Sequence, residues 1–297
     1  MQGSSRALVV RPCRTAPEGQ AVRTLARSRL ATRLLPLAVA VAWWSCSLPA
    51  AALNVERLEP AEVETLRTTL QALESPIAQK KQDGTANLLT WEQLYAPLAP
   101  EQRAFLDAFR ALRAETLGAT SHYFGEPSAT PEVVPVGREE ILKDGTAKLL
   151  DPQYLPRRAL AAYRRMMDAM RSALGKRLLV ESGYRSNAYQ LYLFLFYLPK
   201  HGYSIRETNR FVALPGHSEH GYPPRQAIDF ISEAGVNGED RPEEFEALPE
   251  YAWLQQHAKE FGFALSYPRD NPYHTSFEPW HWHVENSEQR GSEEVSK

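Results

Sequence analysis

Two stretches of the sequence concentrate the side chains that could do metal chemistry. Residues 215–230 read PGHSEHGYPPRQAIDF, and residues 276–285 read SFEPWHWHVE. A catalytic zinc takes about three protein ligands from His and Asp/Glu, keeps one position for water, and works beside a carboxylate that accepts the water's proton. The residues that fit these roles are His220, Asp229 and His281 as ligands and Glu278 as proton acceptor. The two stretches therefore predict a hydrolytic zinc site.

Short strands would position these side chains. AIDF, 227–230, is typical of a buried strand, which would fix Asp229 while His220 lies in the loop before it. WHWHV, 280–284, alternates like a strand, and side chains two apart on a strand point to the same face. His281 and His283 share that face, so geometry alone allows either histidine to be the third ligand.

The order of the motifs resembles a known family. SEH and AID, then EPWH near the C-terminus, all preceded by SGYRS at 182–186, are similar to the zinc D-alanyl-D-alanine carboxypeptidases of VanY type, within the LAS metallopeptidases. The resemblance covers roughly residues 136–285. It implies that zinc is bound by His220, Asp229 and His281, that Glu278 is the general base, and that Arg185 stabilises the oxyanion or holds the substrate. We also expect the substrate to contact Ser218, Gln190, Tyr184 and His283.

Two features depart from the family pattern. The family writes its first motif as SxHxxGxAxD, whereas this chain has two extra residues between His220 and Asp229 and places the glycine at Gly221. We expect the loop to bulge there, with Pro223 and Pro224 folded outward. The family tends to follow EPWH with an aromatic residue and then Arg, and this chain has a histidine at that second position.

The start of the chain has the composition of an export signal. Residues 1–33 carry seven Arg and one acid, and residues 34–44, LLPLAVAVAWW, form an apolar run of signal-peptide length. This run is too short for a stop-transfer helix, and an Ala-Ala-Ala sequence at 50–52 offers a cleavage site. We expect cleavage near Ala52 and a periplasmic or cell-wall location. Both cysteines precede that point, so the mature chain would have no disulfide.

The charge of the mature chain bears on its partners. Of 34 basic and 36 acidic side chains, 27 and 35 remain after removal of the leader, a net charge of about −8. An acidic surface argues against nucleic acid as a partner. We also expect no stable membrane span once the leader is removed.

Helical and strand patterns follow one another through the rest of the chain. Their mixture and short connections predict an α+β fold with a small antiparallel sheet and flanking helices, preceded by a helical N-terminal region. The predicted divisions are a leader at 1–52, a helical cap or prodomain at 53–118, a linker at 119–137, a zinc peptidase domain at 138–285 and a disordered tail at 286–297.

One heptapeptide occurs almost twice. DGTANLL at 83–89 returns as DGTAKLL at 144–150. A tandem unit with a shared ligand-binding turn would explain the match. Chance or a drifted duplication around a good turn dipeptide, Asp-Gly, explains it more simply.

Three functional hypotheses follow from the motifs. The first is a zinc peptidase that trims D-alanine from peptidoglycan stem peptides. The second is an L,D-carboxypeptidase or an endopeptidase on the same scaffold. The third is a non-catalytic cell-wall binding module that keeps zinc for structure. Glu278 argues against the third, because a structural zinc site usually has four closed ligands and needs no base.

Overall fold

Helices and strands follow one another along the chain in a computed structural model. It describes residues 53–118, 122–127, 131–239, 241–273 and 276–285. In these ranges the α-helices are α1 Pro60–Gln82, α2 Trp91–Tyr95, α3 Pro100–Ala111, α4 Arg157–Leu174, α5 Asn187–Tyr197, α6 Ile205–Thr208, α7 Pro242–Glu246 and α8 Pro249–His257. The strands are β1 Val133–Pro135, β2 Glu140–Lys143, β3 Thr146–Leu149, β4 Tyr154–Pro156, β5 Leu178–Ser182, β6 Ala227–Ser232, β7 Phe263–Leu265 and β8 His281–Val284.

The predicted N-terminal helices are confirmed. Helix α1 begins at Pro60, where a missing N–H costs no hydrogen bond, and a capping box joins Glu59 to Glu62. Helix α3 buries one apolar face, which includes Phe105 and Phe109. These faces pack in one hydrophobic cluster with α5, which is apolar on nearly all sides and is buried as the sequence predicts.

A four-stranded antiparallel sheet, in the order β5-β6-β8-β7, carries the predicted site residues. Asp229 on β6 lies directly opposite His281 on β8, and opposite Ser182 on β5. Helices α4 and α8 contribute to the core that contains this sheet, around Met166 and Phe230. The α+β fold class with a small antiparallel sheet is thus confirmed.

Two small hairpin-like pairs were not predicted. Strand β1 pairs with β4, and β2 pairs with β3. The β2–β3 connection is the Asp144–Gly145 dipeptide, whose φ angles of 52° and 75° suit a tight two-residue turn.

The helical region 53–118 packs against the rest of the described chain. It shares its hydrophobic cluster with α5, and the described residues fall in one compact unit. Strand β1 lies inside the predicted linker. The predicted leader with its cleavage site, and the predicted tail after residue 285, lie outside the described residues. No helix among the described residues is long and apolar enough to cross a bilayer.

Candidate metal centre and catalytic cleft

Most of the predicted site residues line one cavity of about 840 Å³. The wall includes His220, Asp229, His281, Glu278, Arg185, Gln190 and Ser218. It also includes residues of the N-terminal helical region, among them Lys81 and Asn87. The cavity is therefore built from both parts of the chain.

The three predicted ligands converge. The Asp229 carboxylate lies between two imidazoles, with Oδ2 3.0 Å from His220 Nε2 and Oδ1 2.8 Å from His281 Nδ1. One ligand atom from each residue lies within 4.8 Å of the others. The sheet register places Asp229 and His281, while a 3₁₀ turn at Glu219–Gly221 places His220.

The hydrogen bonds around His220 indicate that this cluster suits a cation. His220 Nδ1 lies 2.7 Å from the carbonyl oxygen of Gly183, which can only accept, so Nδ1 carries the ring proton. Its Nε2 lone pair therefore faces the Asp229 carboxylate. His220 Nε2 and Asp229 Oδ1 are both buried without a hydrogen-bond partner. Because His220 Nε2 lies 3.0 Å from Asp229 Oδ2 with no proton between these two acceptors, the cluster fits a metal ion.

The electrostatics of His220 and Asp229 agree with that arrangement. Burial lowers the pKa of His220 to about 4, so its imidazole is neutral at pH 7. Burial alone would raise the pKa of Asp229, but the two histidines hold it well below its ordinary value. Metal ligands need these two states, a neutral imidazole and an ionised carboxylate. For His281 burial lowers the pKa, yet the carboxylates of Asp229 and Glu219 raise it overall to about 10.

Glu278 lies beside the ligands in a tight turn. Its N–H donates to the Tyr267 carbonyl at 3.0 Å, and its own carbonyl accepts the N–H of His281 at 3.1 Å. Its Oε2 is 3.7 Å from His281 Nδ1. Burial raises the pKa of Glu278 to about 7, which is the range that suits a general base at neutral pH.

Arg185 and Gln190 present unused polar atoms at the cavity. Arg185 lies in the loop after β5, where its N–H donates to the His220 carbonyl at 3.1 Å, and its Nε is buried without a partner. Gln190 donates through Nε2 to the Ala213 carbonyl at 2.8 Å, which leaves Oε1 buried and unpaired. A guanidinium and an amide oxygen are thus available for substrate.

Two of the predicted substrate contacts lie away from the cavity wall. Among the described residues, neither Tyr184 nor His283 lines the cavity. The Tyr184 side chain is buried in the core. His283 lies two residues beyond His281 on the same face, and its Nδ1 is 2.7 Å from Ser266 Oγ. Of the two histidines it is His281 that joins His220 and Asp229 in the cluster that could hold a metal ion, through its Nδ1.

The sequence analysis missed Glu219, which stands between Ser218 and His220. Its buried carboxylate lies 3.0 Å from His281 Nε2, accepts the Ser266 hydroxyl, and pairs with Arg225 Nε at 2.6 Å. A carboxylate on the second nitrogen of a ligand histidine fixes the ring and its tautomer. The position within the SEH motif was the available signal.

The two extra residues of the loop form a structure of their own. They form part of a 3₁₀ turn at Pro223–Arg225, in which Pro224 is exposed, as the expected outward bulge requires. The turn ends at Arg225, the residue that pairs with Glu219. The turn thereby places a cation beside the buried carboxylate behind His281.

Comparison with known proteins identifies the part of the chain that carries this site. Residues 152–286 match the sequence family described as VanY, D-alanyl-D-alanine carboxypeptidase. "Putative carboxypeptidase YodJ" of Bacillus subtilis (strain 168) is 32% identical over 134 residues, which are 44% of this chain and 46% of that protein. The match therefore spans about half of that relative's length.

Two solved structures are also similar. The LdcB LD-carboxypeptidase is 28% identical with a TM-score of 0.41, over 58% of this chain and 75% of that one. A Zn(II) complex of a mutant of the vancomycin resistance D,D-pentapeptidase VanY, from a VanB-type resistance cassette, is 24% identical with a TM-score of 0.38, over 52% and 82% of the two chains.

Proposed function

Because residues 152–286 match the VanY family, described as D-alanyl-D-alanine carboxypeptidase, we propose that this protein is an exported zinc carboxypeptidase that releases D-alanine from peptidoglycan stem peptides. The observation that supports the metal most directly is the pair of buried, unpaired acceptors, His220 Nε2 and Asp229 Oδ1. The composition of residues 1–52 supports export, and the stem peptide is then met in the periplasm or cell wall.

His220, Asp229 and His281 would hold the zinc. When bound there, the ion would lower the pKa of a water molecule to about 7 and polarise the scissile carbonyl. Hydrogen bonds orient two of these ligands. The Gly183 carbonyl fixes the tautomer of His220, and Glu219 accepts from Nε2 of His281.

Glu278 acts as the general base in this mechanism. Its carboxylate takes a proton from the attacking water and passes it to the amine that leaves as D-alanine. The raised pKa of about 7 favours both transfers, because a base near the working pH can accept and return a proton.

Arg185 stabilises the developing oxyanion or holds the substrate. Arg185 lines the cavity, and its Nε is buried without a hydrogen-bond partner. Gln190 Oε1 is placed to accept an N–H from the peptide, and Ser218 contributes a hydroxyl to the same wall. The kinetics of Arg185→Ala separate its two roles. A hundred- to thousand-fold loss in kcat indicates an oxyanion donor, whereas a rise in KM alone indicates a substrate anchor.

Mass spectrometry of defined peptides tests the proposal. The mature protein with zinc is incubated with a stem pentapeptide that ends in D-Ala-D-Ala, and in parallel with a tetrapeptide that ends in an L-centre followed by D-Ala. We expect free D-alanine and a tetrapeptide from the first substrate. Glu278→Gln protein, purified in the same way, controls for contaminating peptidases.

The second substrate decides between the alternatives. Release of D-alanine from the tetrapeptide alone would replace the D,D assignment with an L,D-carboxypeptidase. Cleavage inside a cross-linked dimer without release of terminal D-alanine would indicate an endopeptidase. No hydrolysis of any of these peptides by zinc-loaded protein would overturn the enzyme proposal.

A further inference from the structure

The segment Asp83–Leu89 lies outside the family match, yet it touches the loop that carries Arg185. Three of its residues, Gly84, Ala86 and Asn87, line the cavity. We propose that this segment, the N-terminal turn, is a positioning element of the active site and that Asn87 holds the loop 183–186 in place. The inference rests on the proposed function where Arg185 is concerned.

The first contact is made by backbone and hydroxyl groups. Ser186 donates its N–H to the Asn87 carbonyl at 2.9 Å and its hydroxyl to the Leu89 carbonyl at 2.6 Å. The same Ser186 oxygen accepts the N–H of Tyr189 and so caps α5. Arg185 directly precedes this residue, so the N-terminal turn fixes the point from which its side chain extends.

The second contact runs from the Asn87 side chain to a metal ligand. Asn87 Nδ2 donates to Gln153 Oε1 at 3.0 Å, and the same oxygen accepts the N–H of Gly183 at 3.0 Å. The Gly183 carbonyl in turn accepts from His220 Nδ1 at 2.7 Å. A continuous chain of hydrogen bonds thus joins the N-terminal helical region to His220.

Close packing holds the N-terminal turn against this network. A Cβ on Gly84 would lie 2.6 Å from Pro152 Cγ, and Gly84 adopts a φ of 66°, so only glycine fits. The Gly84 carbonyl accepts the Tyr154 hydroxyl at 3.1 Å. Ala86 and Leu89 are buried in the cluster shared with α5. The turn is therefore a fixed part of the cavity wall.

Asn87→Asp in the full chain tests the proposal, because it keeps the shape of the side chain and removes the donor. The introduced carboxylate cannot donate to Gln153 Oε1, and a Gln153 amide that rotated to donate to it would release the Gly183 N–H. We expect amide hydrogen exchange in 183–186 to become about tenfold faster and kcat/KM to fall about tenfold. In an Arg185→Ala background the same change should cost less than about twofold, since effects that act through one residue are not additive.

The matched control is Lys148→Ala, at the equivalent position of the second heptapeptide in the exposed β2–β3 hairpin. It should leave both exchange and kcat/KM unchanged. Asn87→Ala repeats the test if the aspartate variant does not fold. Any of three results would overturn the inference. Exchange in 183–186 could be unaltered, the losses in kcat/KM from the Asn87 and Arg185 variants could multiply fully in the double variant, or the control could lose as much kcat/KM as the Asn87 variant. The exchange measurement needs no substrate, so it still decides the matter if the parent protein releases no D-alanine.

Discussion

Two buried polar clusters meet at His281 and differ in how completely their atoms are paired. The ligand cluster consists of His220, Asp229 and His281 on the cavity side. The clamp lies behind it and consists of Glu219, Arg225, Ser266 and His283. In the ligand cluster, His220 Nε2 and Asp229 Oδ1 have no hydrogen-bond partner. In the clamp, Glu219 accepts from His281, Ser266 and Arg225, while Ser266 also contacts His283.

The difference separates a binding site from its support. A buried polar atom without a partner costs about 1–3 kcal/mol, so two such atoms within one cluster mark a place built for a ligand. In the clamp no buried side-chain nitrogen or oxygen lacks a partner, so it offers no such place and serves to hold its neighbours. His281 belongs to both clusters, since Nδ1 faces Asp229 and Nε2 faces Glu219. Substitutions in the two clusters should therefore have different consequences.

The largest effect is expected in the ligand cluster. Replacement of His220, Asp229 or His281 by Ala should remove bound metal and abolish D-alanine release together, because three protein ligands are the usual minimum for a catalytic zinc. Metal analysis and a D-alanine assay on the same samples measure both. His257→Ala, a half-exposed histidine paired with Glu260, is the control and should change neither. Metal near one per chain in all three variants would refute the assignment.

The next largest effect is expected for Glu278, and it distinguishes the proposed general base from the metal ligands. Glu278→Gln keeps the shape of the side chain but cannot accept the proton, so turnover should nearly vanish while zinc content stays near that of the parent. A variant that still released D-alanine at the parent rate, free of contaminating peptidase, would end this mechanism. Loss of zinc would instead place Glu278 among the ligands.

The residues of the ligand cluster could be selected from the sequence, and those of the clamp could not. Residue types and strand patterns pointed to Asp229 and left His281 and His283 open, and the family resemblance favoured His281, which the register of β6 and β8 sets opposite Asp229. The clamp is made by Arg225 and Ser266, which come from the 3₁₀ turn before β6 and from the residue after β7, respectively. Only the fold brings such separate positions to one carboxylate.

The two near-identical heptapeptides show that local structure, too, could not be predicted from the residues alone. DGTANLL forms a 3₁₀ turn at Ala86–Leu88, whereas DGTAKLL forms strand β3. Gly84 packs tightly on Pro152, while nothing lies within 4 Å of the corresponding position on Gly145. Tertiary contacts and not the shared residues decide between the two conformations, which agrees with chance or a drifted duplication and not with one shared ligand-binding turn. Only the first copy lines the cavity.

A substitution in the clamp should weaken metal binding without removing it. Glu219→Gln retains an oxygen for His281 Nε2 but loses the charge that pairs with Arg225. Mutation of a residue that hydrogen-bonds a metal-binding histidine typically lowers metal affinity about ten- to a hundredfold. Titration of metal-free protein against a chelating dye gives the affinity directly. Glu246→Gln removes a carboxylate from a surface pair with Arg269 and should leave the affinity unchanged. Equal affinities for the parent and the Glu219 variant would show that the clamp does not act on the metal.

The smallest effect on the site is expected for His283, although it shares a strand face with His281. The single hydroxyl proton of Ser266 goes to Glu219, so His283 Nδ1 donates to Ser266 Oγ and takes no part in the ligand cluster. His283→Ala should keep metal near one per chain and KM within about twofold of the parent, while the lost contact lowers the free energy of unfolding by about 1–3 kcal/mol. Metal analysis, peptide kinetics and urea unfolding measure these three quantities.

Loss of metal would mean that the ligand has shifted by two residues. A marked rise in KM would instead show that His283 contacts the substrate. The buried position of His283 argues against that contact, because a ring behind Glu219 can reach a peptide only if the clamp itself opens.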